Sequence, residues 1–238
     1  MDIATEGGIA RAELDGDGPA ARFLLVLTHG AGGSVEAPDV LAVRDAGLQL
    51  GAMVARVTQP YRVRGARAPG SAVRQDAAWV EIVTVLRGLA PGVPLVQGGR
   101  SNGARVACRT AVAVGARAVI ALAFPLYPPQ RWPAGPQTGA SRAGGSQGAR
   151  PSRAAELHAA RAAGAAVLVV NGERDPFGIP GAGDADRVVI VPRETHALRG
   201  HRADIIGAVT GWLPGVIETG HPEARSRGGA ARSRGRKA

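Results

Sequence analysis

Six short apolar runs punctuate the chain, and the intervals between most of them carry the spacing of helices. The runs lie in Arg22–Thr28, Met53–Val57, Pro94–Arg100, Ala118–Ala123, Ala166–Asn171 and Arg187–Val191. Unbroken apolar runs of this length suit strands buried on both faces. After Pro38, positions Val40, Val43, Gly47 and Leu50 recur at helical spacing, and Gly51 supplies a stop. Ser71 stands where an N-cap is expected, ahead of a helix with Trp79, Ile82, Leu86 and Leu89 on one stripe and Pro91-Gly92 at its end. An Ala-rich helix follows Ser101 and closes near Gly115, and another spans about 152–163. The last carries Ile205, Ala208, Val209 and Trp212, with Pro214 as its expected stop. Alternation of this kind predicts an α/β protein, a three-layer α/β/α sandwich around a mostly parallel sheet.

The rhythm fails in four places. Residues 1–21 are polar and Gly-rich and are expected to be loose or to form weak strands; residues 59–70 read as a Pro/Gly/Arg loop. The stretch 125–151 opens on prolines and continues through a Gly/Ser/Arg/Gln tract too poor in apolar surface to fold alone. It reads as a flexible excursion and, at most, a minimal lid. From 215 to 238 the chain reads as a basic, disordered tail. A single domain over 22–214 remains.

Composition refines this picture. With 45% hydrophobic but only 3% aromatic residues, the core must be built from Ala, Val, Leu and Ile. The net charge of +10 divides evenly: from Glu223 onward six basic residues face one acid, so the tail carries half of it. Lys237 is the sole lysine, so the arginine excess reads as a coding bias. The tail lacks aromatic residues for base stacking, which points away from nucleic acid. No apolar run reaches the ~18 residues of a membrane span. Cys108 is the only cysteine and reads as a small buried hydrophobe; with no disulfide possible and no secretory signal, a cytoplasmic location is expected. No His/Cys cluster has metal-ligand spacing, and neither a phosphate-binding nor a dinucleotide-binding glycine motif occurs, so neither metal nor cofactor is expected.

The chemistry centres on Gly99-Arg100-Ser101-Asn102-Gly103, between a strand and a helix. A nucleophilic serine needs that setting: a strained turn exposes its hydroxyl, and glycines on either side let the backbones cross. With 35 glycines in the chain the pattern arises cheaply, and Gly144-Gly145-Ser146-Gln147-Gly148 matches it too, but without a preceding strand. A serine hydroxyl also needs a base, and the base an orienting carboxylate. Asp175 and His196 follow two later strands, so all three groups are expected at one sheet edge, in the chain order Ser…Asp…His. The glycine-rich loop His29–Gly33 reaches the same edge, and the amides of Ala31 and Asn102 are the candidate oxyanion donors. Glu173 and His201 are the substitutes for the acid and base. His29 reads as a structural loop histidine, and His158 and His221 as solvent-facing. Arg100, Arg105 and Arg174 flank the site residues and would favour an anionic substrate, although arginine is abundant everywhere in this chain.

The elbow Gly-Gly-Arg-Ser-Asn-Gly-Ala-Arg-Val-Ala, the loop Thr-His-Gly-Ala-Gly-Gly and the segment Asn-Gly-Glu-Arg-Asp-Pro-Phe-Gly together resemble compact α/β-hydrolase-fold proteins. These are the dienelactone-hydrolase-related group, which includes bacterial proteins similar to a subunit of an animal histone-acetyltransferase complex. The resemblance covers about residues 22–214. It implies the α/β-hydrolase fold, with Ser101, Asp175 and His196 at the triad positions, and no particular substrate. Dienelactone hydrolases proper use a cysteine where this chain has Ser101. The expectation is therefore a carboxylesterase or thioesterase acting on a small acyl substrate, as a monomer or homodimer, without a cofactor. The rival is a catalytically silent protein that uses the same fold for binding.

Overall fold

The computed structural model describes residues 1–129 and 151–219. Its strands are β1 (Asp2–Thr5), β2 (Gly8–Asp15), β3 (Phe23–Thr28), β4 (Ala52–Thr58), β5 (Leu95–Arg100), β6 (Ala118–Leu122), β7 (Ala166–Gly172) and β8 (Arg187–Val191). Its helices are α1 (Pro38–Gln49), α2 (Pro60–Val63), α3 (Ala72–Arg87), α4 (Asn102–Val114), α5 (Ala154–Ala162), α6 (Arg202–Thr210) and α7 (Leu213–Thr219). The strands form one sheet in the order β1-β2-β4-β3-β5-β6-β7-β8. Both pairings made by β2 are antiparallel, and those from β4 through β8 are parallel.

The two faces of the sheet are read directly from strand alternation. In β3, Leu24 and Val26 pack with Trp79 and Ile82 of α3, Ala107 of α4 and Leu157 of α5. Phe23, Leu25 and Leu27 point the other way, into a core with Val40 and Val43 of α1, Ile205 and Val209 of α6, and Leu213. Every residue of β3 is buried, which is what its unbroken apolar run requires. One polar pin crosses the first core. Trp79 donates through Nε1 to Gln97 Oε1 at 2.7 Å, and Gln97 Nε2 donates to the Ala107 carbonyl at 2.7 Å. It ties α3, the elbow strand and α4 together without leaving a buried amide unpaired.

Residues 2–15 take the strand alternative expected of the N-terminal segment, as a pair at the edge of the sheet from which Ile3, Ala10 and Ala12 enter the core. Elsewhere the structure departs from the sequence expectations in local ways. The 59–70 loop begins with a one-turn helix, with Pro60 at its first position, where a missing N–H costs nothing. Ser71 does stand at the N-cap of α3, but its hydroxyl makes no capping bond. Pro214 does not stop a helix. The last long helix ends at Thr210, and Pro214 occupies the first turn of α7, which needs no proline N–H. Most of the 125–151 excursion and most of the basic tail, Ser146 and His221 included, lie outside the described residues. No helix of the described residues is long and apolar enough to cross a membrane.

Candidate active site

The strand β5 ends at Arg100 and α4 begins at Asn102, so one residue makes the turn. Ser101 does so with φ 53° and ψ −110°, a left-handed conformation that costs a non-glycine residue about 1–3 kcal/mol. The surroundings hold it there. The Ser101 amide donates to the Leu122 carbonyl at 2.8 Å, and the Arg105 amide donates to the Ser101 carbonyl at 3.2 Å. The flanking glycines are needed for contact. A Cβ on Gly99 would lie 2.7 Å from the Thr28 carbonyl oxygen and 2.8 Å from the Gly103 carbonyl carbon, and one on Gly103 would lie 2.7 Å from the His29 carbonyl oxygen.

The loops after β7 and β8 bring the other two candidates to this turn. His196 Nε2 lies 2.9 Å from Ser101 Oγ, and its Nδ1 lies 2.8 Å from Asp175 Oδ2. An ionised carboxylate can only accept, so Nδ1 carries the ring proton and Nε2 is left to accept from the serine hydroxyl. The Asp175 side chain is fully buried, and its oxygens take two further donors: the Phe177 amide at 2.9 Å and Asn171 Nδ2 at 3.2 Å. Asn171 is itself fixed, because its Oδ1 accepts from the Phe124 amide at 2.8 Å. Phe177 sits edge-on to the His196 ring, with centroids 4.6 Å apart. Asp175 and His196 are thus each held from two sides.

Ala31 and Asn102 line the same cleft as Ser101 and His196, a space of about 490 Å³. Among the described residues neither backbone amide has a hydrogen-bond partner. Both are braced from behind. Tyr61 donates its hydroxyl to the Ala31 carbonyl at 3.0 Å, and Asn102 Nδ2 donates to Gln75 Oε1 at 2.7 Å. His29 is buried; its Nε2 accepts the Gln59 amide at 3.0 Å while Nδ1 faces the Gly30 carbonyl at 2.8 Å. Those partners require a neutral ring, and burial lowers its pKa accordingly. The ring anchors the glycine-rich loop and has no part beside Ser101.

The substitute residues are engaged elsewhere. Glu173 accepts the Arg193 amide at 2.8 Å, and His201 pairs with Asp204 at the head of α6 at 2.9 Å. His158 is solvent-facing as expected, and it faces Asp184 at 2.8 Å across 26 residues of sequence, a pairing that no local pattern announces. Arg174 is exposed, whereas Arg105 makes a two-pronged pair with Glu156 at 3.0 and 2.6 Å.

Sequence reasoning missed one buried arrangement entirely. Arg100, the residue before the elbow serine, donates through Nη2 to the His196 carbonyl at 2.8 Å. Its Nε lies 2.9 Å from Oδ2 of the fully buried Asp39, close enough for an ion pair though not aligned as a hydrogen bond. Burial pushes the Asp39 carboxyl up to about 6, against the opposing pull of Arg100 and the Val40 amide. A signal was present in retrospect: Asp39 opens α1 next to Pro38, where an acid suits the helix N-terminus. Among the described residues no cluster of three or more His, Cys, Asp or Glu side chains is arranged to hold a metal ion.

Comparison with known proteins identifies the fold. The sequence profile of the alpha/beta hydrolase domain family matches residues 21–139. No curated protein sequence matches the chain. Among solved structures, XC6422 from Xanthomonas campestris, an α/β serine hydrolase described as lacking a lid, is similar with a TM-score of 0.64 at 19% identity, over 90% of this chain and 94% of that one. Est1E from Butyrivibrio proteoclasticus, in a structure with ferulic acid bound, gives 0.67 at 17% identity over 91% and 99%. A dienelactone hydrolase from Anabaena variabilis gives 0.64 at 14% identity over 91% and 96%. At these identities the likeness is one of fold.

Proposed function

We propose, from the premise that this chain belongs to the alpha/beta hydrolase domain family, that it is a serine hydrolase cleaving an ester or thioester of a small acyl compound. The observation that carries this reading is the unbroken line from Ser101 Oγ through the His196 ring to Asp175. On attack, Ser101 Oγ bonds to the substrate carbonyl carbon as its proton passes to His196 Nε2, and Asp175 stabilises the imidazolium that results. The oxyanion is received by the amides of Ala31 and Asn102, which lie at the mouth of a glycine-rich loop and the first turn of α4. His196 then returns its proton to the leaving oxygen or sulfur. Water, activated by the same ring, attacks the acyl-enzyme and regenerates the serine. No step calls for a cofactor. The ferulic acid held by Est1E is a small organic acid, which agrees with a small acyl product leaving this cleft.

The test is covalent labelling with a fluorophosphonate, comparing wild type with Ser101→Ala, His196→Ala and Ser146→Ala. Labelling is expected to vanish in the first two variants and persist in the third, with ester hydrolysis falling by roughly 10⁴-fold or more when the serine or histidine is removed. A folded wild type that takes no label would overturn the proposal and leave the fold serving as a binding platform.

A further inference from the structure

The charged side chains lining the cleft beside Ser101 are, among the described residues, Arg100, Arg105 and Arg153, and no Asp or Glu joins them. Two of the three are matched. Arg100 has Asp39 at 2.9 Å, and Arg105 has Glu156. Glu156 also lies 3.5 Å from Arg109, whose own two-pronged partner is Asp76. With Arg109 counted, four arginines therefore meet three carboxylates, and the cation left over is Arg153.

Arg153 has no carboxylate partner among the described residues. Its Nη1 reaches only the carbonyls of Pro125 and Tyr127, at long distances of 3.4 and 3.3 Å. Residues 130–150, which join that turn to the segment just before α5 where Arg153 lies, contain no Asp or Glu. The position is also unfavourable for a lone cation. Partial burial, and then repulsion from Arg105 and Arg109, lower its pKa from the ordinary arginine value, against a weaker pull from Glu156, which is already paired with Arg105. A half-buried guanidinium at this cleft, facing like charges and with its nearest acid, Glu156, already shared by Arg105 and Arg109, is complementary to an anion that the ligand brings. Its planar fork of donors can take a carboxylate in a two-pronged pair.

We propose that the substrate carries a free carboxylate besides the bond to be cleaved, as in a monoester of a short dicarboxylic acid, and that Arg153 binds that carboxylate. This rests on the hydrolase reading above, so the experiment separates the two. The probe pair is mono-4-nitrophenyl glutarate and its methyl ester, which share a leaving group and differ in one charge. Wild type is expected to favour the free acid by tenfold or more in kcat/KM, with the preference weakening as salt is raised. Arg153→Met is expected to bring the ratio of the two substrates near one, chiefly through KM, and Arg153→Lys to restore part of it. Equal rates on both esters in the wild type would overturn the proposal. So would an Arg153→Met variant that slows both in the same proportion, the result expected of an arginine that merely props the 125–127 turn. A second arm needs no turnover: monomethyl glutarate is titrated calorimetrically into Ser101→Ala and into the Ser101→Ala, Arg153→Met double variant. Binding weakened tenfold in the double variant supports the anion site even if fluorophosphonate labelling fails, whereas equal binding or none refutes it.

Discussion

Gly172 offers a demanding test of how His196 is held. It ends β7, and a Cβ placed there would lie 2.4 Å from the Thr195 carbonyl oxygen and 2.5 Å from that of Glu194. Contacts under 3.0 Å essentially never occur for real Cβ atoms, and both oxygens belong to backbone, which cannot rotate out of the way. In Gly172→Ala, Glu194 and Thr195 must therefore retreat by about half an ångström, and His196 is the next residue. Overpacking against rigid backbone costs roughly 1–3 kcal/mol of stability. A misplacement of 1 Å near reacting groups costs about 10²-fold in rate, so the smaller shift corresponds to about tenfold in kcat. Urea unfolding gives the first number, and hydrolysis of a short-chain 4-nitrophenyl ester, with the rate of fluorophosphonate labelling, gives the second. Gly207→Ala is the control. Nothing lies within 4 Å of a Cβ at that position inside α6, and the same substitution there should stabilise by about 0.5–1 kcal/mol with activity unchanged. A destabilised Gly172→Ala enzyme with wild-type kcat would show that the strain is absorbed in β7, and the claimed mechanical link to His196 would be wrong.

Two further outcomes follow from buried groups. Cys108 is buried and its thiol is pushed up by desolvation, so iodoacetamide should leave the folded protein unmodified at pH 8 and alkylate it only in urea; rapid native labelling would contradict the packing of α4. Asp39 has its pKa raised from 3.8 to about 6, so between those values the folded state binds more protons than the unfolded chain. Its contribution to stability is therefore full below pH 4 and is lost as pH rises through 6, by about 3 kcal/mol at most. In urea titrations at several pH values, Asp39→Asn should remove this slope, and a wild-type minus variant difference that stays flat from pH 4 to 7 would refute the assignment.

The strands buried on both faces were legible because an apolar run such as Phe23–Leu27 needs no partner to be recognised. Ser101 was legible for a similar reason, since the glycines that let its turn close are its sequence neighbours. Asp175 and His196 could be nominated from their places after strands, and the structure brings both to Ser101. What the chain did not disclose was anything that depends on distant pairing. Asn171 holding Asp175 through Phe124, Arg100 reaching the His196 carbonyl across 96 residues, and His158 meeting Asp184 are products of tertiary folding. Pro214 misled for a different reason: a proline ends one helix and opens another with equal ease, and only the neighbouring core decides which.

The division of the site across the sheet has a consequence in time. The elbow and both candidate oxyanion amides lie at or before Asn102, whereas Asp175 and His196 follow strands on the far side of β6, with β7 paired to β6 and β8 to β7. A ribosome adding about 5–20 residues per second delivers His196 several seconds after Ser101. Throughout that interval the nascent chain holds an ordinary alcohol. On the proposed mechanism, reactivity would switch on only when β7 and β8 dock, so a molecule made only as far as β6 would carry no activated serine.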